Sequence, residues 1–171
     1  MKTYTFFIVI LFLNINSIVA QDAAVFEKVE DIGYKFITPL KIGEIDQFKK
    51  RKPPVNTWTY SALAKYKKDL DSKEFILYGS FIMPTTKKEF YNFNYYALKK
   101  NSAEYVYFFA ISIMISKING EYKVVSSYLF TEKKALKAWW HHTFNFFESD
   151  KFDQIPKEFM KPNICPPPPS F

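Results

Sequence analysis

Two histidines, one cysteine and a run of alternating rings and amides are the residues with the chemistry for a site. His141 and His142 are adjacent and are the only histidines in the chain. On a helix they project roughly 100° apart and face no common point. The His-x-x-x-His spacing that would hold one metal ion between them does not occur, so both are expected at the surface and no metal site is assigned. Cys165 is the lone thiol and sits beside a proline run with no element predicted to bring it a base. It is expected to be a free or intermolecular thiol, not a nucleophile. The serines occupy no Gly-x-Ser-x-Gly setting. Glu74, Glu89, Glu104 and Glu121 fall near predicted strand ends, where carboxylates are solvated and an acid/base pair is not expected. No catalytic residue is assigned. With 4 glycines in 171 residues and no Gly-rich phosphate loop, no cofactor is expected either.

The aromatic and amide run is more informative. Phe90, Tyr91, Phe93, Tyr95 and Tyr96 place rings on both faces of one strand. One face must pack the core. The other carries Phe90, Asn92, Asn94 and Tyr96, where rings give contact area and amides give hydrogen bonds. Such a face suits contact with a protein or a sugar, and these four are the candidate binding residues. The competing expectation is that the N-terminal helices or the tail cover them. The tail contains four consecutive prolines at 166–169. It is expected to be loosely packed, with docking into a partner's groove or lying across the domain as alternatives.

The elements that position these residues follow from periodicity. Over 22–38, Phe26, Val29, Gly33, Phe36, Ile37 and Leu40 recur at threes and fours, which predicts a helix that Pro39 should stop. Residues 41–56 read as a loop, with Lys49-Lys50-Arg51-Lys52 as a solvated basic run. Residues 57–70 predict a second helix on a Leu63, Tyr66, Leu70 stripe. The period then becomes two, predicting strands over 74–83, 88–98, Glu104–Ile118 and Glu121–Phe130. Asn119-Gly120 is a strong hairpin signal. A two-residue turn pairs Ile118 with Glu121. Counting outward sets Ile115 against Val124, Ile113 against Ser126, Ile111 against Tyr128, and Phe109 against Phe130 on one large apolar face. Met114, Ser112 and Ala110 then oppose Val125, Ser127 and Leu129 on a smaller, wetter face. Thr131 should cap a third helix over 132–148, with Leu136, Trp139, Trp140, Thr143, Phe144 and Phe147 inside.

The expected fold is α+β: two N-terminal helices, a four-stranded antiparallel meander and a C-terminal helix packed on the same face. In outline this order resembles cystatin-like and NTF2-like folds, which host both enzymes and binders.

Lys2, the apolar run Phe6 to Leu13 and the small residues ending at Ala20 have the order of a cleavable secretory signal. The expected organisation is a signal peptide over 1–20, one domain over 21–150 and a Pro-rich tail over 151–171. Eight apolar residues are too few to span a bilayer, so no transmembrane segment is expected after cleavage. Hydrophobic content of 48% excludes a disordered chain. The net charge of +7 rests almost wholly on lysine, Arg51 being the only arginine. Arginine is the residue suited to bidentate phosphate and guanine recognition, so nucleic acid is not an expected partner. An exported domain with one cysteine must be held by its core, and the combination resembles exported bacterial proteins. The expected role is a non-enzymatic, periplasmic or secreted binding module with a protein partner, for example an inhibitor or immunity-type protein. Two alternatives are a ligand-binding or enzymatic domain with a pocket between sheet and helices, and an envelope structural or adhesion component. The latter predicts homo-oligomers, with a disulfide-linked dimer through Cys165 as one form.

Overall fold

The computed structural model describes residues 23–56, 61–101, 104–150, 155, 159 and 166–169. The predicted signal segment 1–20 and the first residues of the predicted second helix, 57–60, lie outside the described residues. Helix α1 spans 23–41. It is followed by α2 (Ile45–Lys49), β1 (Val55–Asn56), α3 (Ser61–Asp71), β2 (Ile76–Pro84), β3 (Phe90–Asn101), β4 (Glu104–Ile118), β5 (Glu121–Phe130) and α4 (Lys133–Phe147). Strands β2 to β5 form the expected antiparallel meander, and the fold is α+β with N-terminal helices and a C-terminal helix. The two-residue β1 adds in parallel to β5, with Val55 beside Ser127. Among the described residues no helix is long and apolar enough to cross a membrane.

Helix α1 buries the residues its periodicity names: Phe26, Val29, Gly33, Phe36, Ile37 and Leu40. It does not stop before Pro39, as expected, but continues to 41. A proline inside a helix leaves the carbonyl four residues back without its donor. Here that carbonyl belongs to Lys35, and the Arg51 guanidinium donates to it at 3.1 Å. Thr38 Oγ1 donates to the Tyr34 carbonyl at 2.8 Å one step earlier. The lone arginine of the basic run therefore has a structural partner. The helix ends at Gly43, whose φ of 79° suits glycine. The Gly43 and Glu44 amides close back onto the Leu40 and Pro39 carbonyls. The supposed loop then forms α2, which inserts Phe48 edge-on against Phe36.

Alternation along β3 divides the molecule into three layers. Tyr91, Phe93, Tyr95 and Ala97 share one face with Ile111, Ile113 and Ile115 of β4. Helices α1 and α3 cover it: Tyr34 meets Phe93 edge-on at 5.3 Å, and Tyr66 meets Phe109 at 5.1 Å. Gly33 makes this approach possible, because a Cβ there would lie 2.4 Å from the Phe93 ring. Asn94 and Tyr96 occupy the opposite face with Ser112 and Phe81, and α4 covers them. The expectation that α4 shares a face with the N-terminal helices is therefore corrected. Phe81, Tyr96 and Ala110 make the second face as unsuited to water as the first.

The hairpin turns at Asn119 and Gly120, both with positive φ. Pairing follows the expected register from Ile118 with Glu121 to Ile115 with Val124. A bulge at Val125 then shifts it, so Ile113 faces Ser127, Ile111 faces Leu129 and Ala110 faces Phe130. A one-residue slip exchanges the two faces of a strand. Without it Tyr128 would point into the core; with it Leu129 is 5% exposed and Tyr128 44%.

Two substitutions test this construction. Gly33→Ala should destabilise the protein by ~1–2 kcal/mol in urea unfolding, because overpacking against Phe93 outweighs the better helix propensity. Arg51→Ala should cost about 1 kcal/mol by leaving the Lys35 carbonyl without its donor.

Candidate functional site

Helix α4 positions every candidate group on the second face. Its N-cap is Glu132, without a side-chain cap, in place of the expected Thr131. Leu136, Trp139, Thr143 and Phe146 are buried. Trp140 and Phe147 are half-buried and Phe144 is 38% exposed, so the buried stripe is rotated from the expected one. At its centre, Trp139 Nε1 donates to Asn94 Oδ1 at 3.2 Å, and Ser112 Oγ donates to the same oxygen at 2.6 Å. Asn94 Nδ2 donates to the Asn92 carbonyl at 3.2 Å. The Trp139 ring packs among Phe81, Tyr96 and Tyr107.

The four sequence-predicted binding residues are thereby separated. Asn94 and Tyr96 are buried beneath α4, while Phe90 and Asn92 are half-buried toward the end of the sheet. Among the described residues the cover is α4. Beside the second half of α4 a groove of about 420 Å³ remains, lined by Asn92, Thr85, Thr86, His142, Asn145 and Ser149 over Met83, Met114 and Phe146. The Asn92 side-chain oxygen is buried and accepts no hydrogen bond among the described residues. Of the two histidines, only His142 reaches this groove; His141 lies edge-on to Trp140. Sequence reasoning missed Thr85, Thr86, Asn145 and Ser149. They come from a strand connection and a helix end about sixty residues apart, and periodicity carries no signal for that meeting.

A second groove of about 540 Å³ lies between the start of α1 and the β4–β5 hairpin, and it is charged. It gathers Glu89 and Glu121 from the four acids considered. Each is paired: Glu89 with Lys117 at 2.8 Å, and Glu121 with Lys123 at 2.8 Å. The hydrogen bond from its lysine holds each carboxyl below the usual carboxylate range. That is the opposite of what a general acid near neutral pH requires. Glu74 pairs with Lys99, and Glu104 is exposed. Among the described residues, no group of three His, Cys, Asp or Glu side chains is placed to hold a metal ion.

Two of the buried phenols, Tyr66 and Tyr95, carry shifted values. Burial pushes Tyr66 and Tyr95 far above the ordinary tyrosine value. The Tyr66 hydroxyl donates to the Lys41 carbonyl at 3.2 Å. The Tyr95 hydroxyl is buried with no partner among the described residues. Both remain neutral in the folded protein and are unavailable as bases.

The proline run is seated on the domain, correcting the expectation of a loosely packed tail. Trp140 Nε1 donates to the Pro166 carbonyl at 2.7 Å, and the Tyr107 hydroxyl donates to the Pro167 carbonyl at 2.6 Å.

In comparisons with known proteins, the chain matches no family model, no curated relative and no solved structure.

Tyr95→Phe removes an unsatisfied buried hydroxyl and should raise stability by ~1 kcal/mol at neutral pH. The raised phenol values also set a pH dependence. Their stabilising contribution is complete below the unfolded tyrosine value of about 10 and is lost as the pH climbs from there toward the folded values. Thermal melts should therefore fall steeply above that pH, and less steeply in Tyr95→Phe.

Proposed function

We propose that this protein is an exported, non-enzymatic protein-binding module whose contact surface is the groove beside the second half of α4. The observation that carries the reading is Asn92. Its side-chain oxygen is buried at the groove and accepts no hydrogen bond among the described residues, and an unsatisfied buried acceptor is costly until a donor arrives. An inserted loop offering an N–H or O–H group supplies that donor. The Met83, Met114 and Phe146 floor takes its apolar atoms, and Thr85, Thr86 and Asn145 form a polar rim. The acids near the other groove are ion-paired and held ionised, which favours binding over acid/base chemistry. Export rests on the order of residues 1–20. A periplasmic inhibitor or immunity-type role is the specific version of this reading.

A small-molecule reading has one observation in its favour, because about 420 Å³ falls within the range of small-ligand sites.

Photo-crosslinking separates the two. A benzoylphenylalanine at His142, on the groove, should yield a discrete protein adduct in cells of the native host. The same probe at Lys65, exposed on α3 across the sheet, should not. Absence of an adduct from position 142, or the same adduct from both positions, would overturn the protein-binding reading.

A further inference from the structure

The tail contact has a chemistry that reaches beyond this tail. Each proline fixes its φ near −65°, and each residue before a proline is driven to extended backbone. Residues 166–169 are therefore committed to a left-handed polyproline helix by covalent structure alone. That helix makes no internal hydrogen bonds, so its carbonyls point outward and accept from whatever lies beside them.

Trp140 and Tyr107 meet that requirement. The indole N–H and the phenol O–H donate to two successive carbonyls, those of Pro166 and Pro167. Pro166 is buried, Pro167 and Pro169 are half-buried and Pro168 is exposed, so one side of the run faces the domain and the other faces solvent. An aromatic surface that supplies side-chain donors to main-chain carbonyls reads the polyproline conformation, with little regard to the sequence carrying it. The surface also extends past the two donors. Phe144 stacks on Trp140 at 5.1 Å and 23°, one turn further along α4, and remains 38% exposed. At 100° per residue, Trp140 and Phe144 lie on the flank of α4 opposite His142 and Asn145, so this surface is distinct from the groove assigned above.

We propose that the Tyr107–Trp140–Phe144 surface is a receptor for proline-rich extended segments of other polypeptides, and that the chain's own 166–169 run is its resident competitor. A tethered competitor acts at a high effective concentration, so an incoming segment must bind more tightly than the tail or find the tail weakened. Phe144 provides additional contact area that an incoming segment can use.

The test uses the full chain. Its lone thiol, Cys165, precedes Pro166 directly, and Pro166 is held by Trp140, so indole quenching of a bimane label on that thiol reports whether the tail is seated. Hexaproline peptide should relieve the quenching in a saturable manner, and a Gly-Ser peptide of equal length should not. Pro166→Ala/Pro167→Ala weakens the tail and leaves the receptor intact. It should lower the half-saturating hexaproline concentration about fivefold, the equivalent of one hydrogen bond. Trp140→Phe lacks the indole donor and, with unchanged circular dichroism, should lose the hexaproline-induced shifts of the Phe144 and Tyr107 amide resonances. If hexaproline changes neither the bimane signal of the parent chain nor the amide resonances of Phe144 and Tyr107 in the proline variant, the surface is a seat for this tail alone and the proposal is overturned.

Discussion

The side-chain oxygen of Asn94 is the polar contact that joins β3, β4 and α4 inside an otherwise apolar layer. It accepts from Ser112 on the neighbouring strand and from the Trp139 indole on α4. The Asn94 amide group turns back to the Asn92 carbonyl. The residue is 1% exposed, and a buried amide without partners costs about 1–3 kcal/mol for each unsatisfied atom. Apolar packing would accept many positions of a helix on an aromatic sheet. The acceptor admits those that bring an indole N–H to one point, so the register of α4 follows from this amide.

Both outer surfaces of α4 inherit that register. With Trp139 directed inward, the turn geometry carries Trp140 and Phe144 to one flank and His142 and Asn145 to the other. The first flank holds the proline run; the second walls the groove around Asn92. The sheet beneath is held from both sides. Gly33 lets α1 close over Phe93, and Gly79 on the opposite face leaves room for Tyr96, where a Cβ would meet the ring at 2.1 Å. Each glycine marks a place where an aromatic ring comes within contact of the backbone, so helix and strand close onto the rings on both faces of β3.

Much of this fold was legible in the sequence, for local reasons. The buried face of α1, the four strands and the Asn119-Gly120 turn follow from period and turn chemistry within short windows. What escaped depended on distant partners. Pro39 should end a helix, and it does not because Arg51 supplies the missing donor from twelve residues away. The bulge at Val125 depends on whether Leu129 or Tyr128 is the better core residue, a choice made by the opposing face. The layer of α4 was misjudged because a strand buried on both faces still alternates in sequence, and alternation alone does not say that the polar positions are wet. Asn94 illustrates this: alternation puts it on a face suited to contact, and its amide is the polar centre of the second core. The groove around Asn92 and the seat of the tail assemble from segments about sixty residues apart, beyond the reach of any periodic signal.

The central claim is that Asn94 and Trp139 act as one unit. A double-mutant cycle on unfolding free energy, with Asn94→Ala, Trp139→Phe and the pair, measures this directly. Trp139→Phe keeps an aromatic ring and removes the indole donor. A coupling of about 1–2 kcal/mol is predicted, because either change leaves the hydrogen bond already broken for the other. Additivity within ~0.5 kcal/mol would contradict the account and would mean that α4 is placed by apolar packing alone.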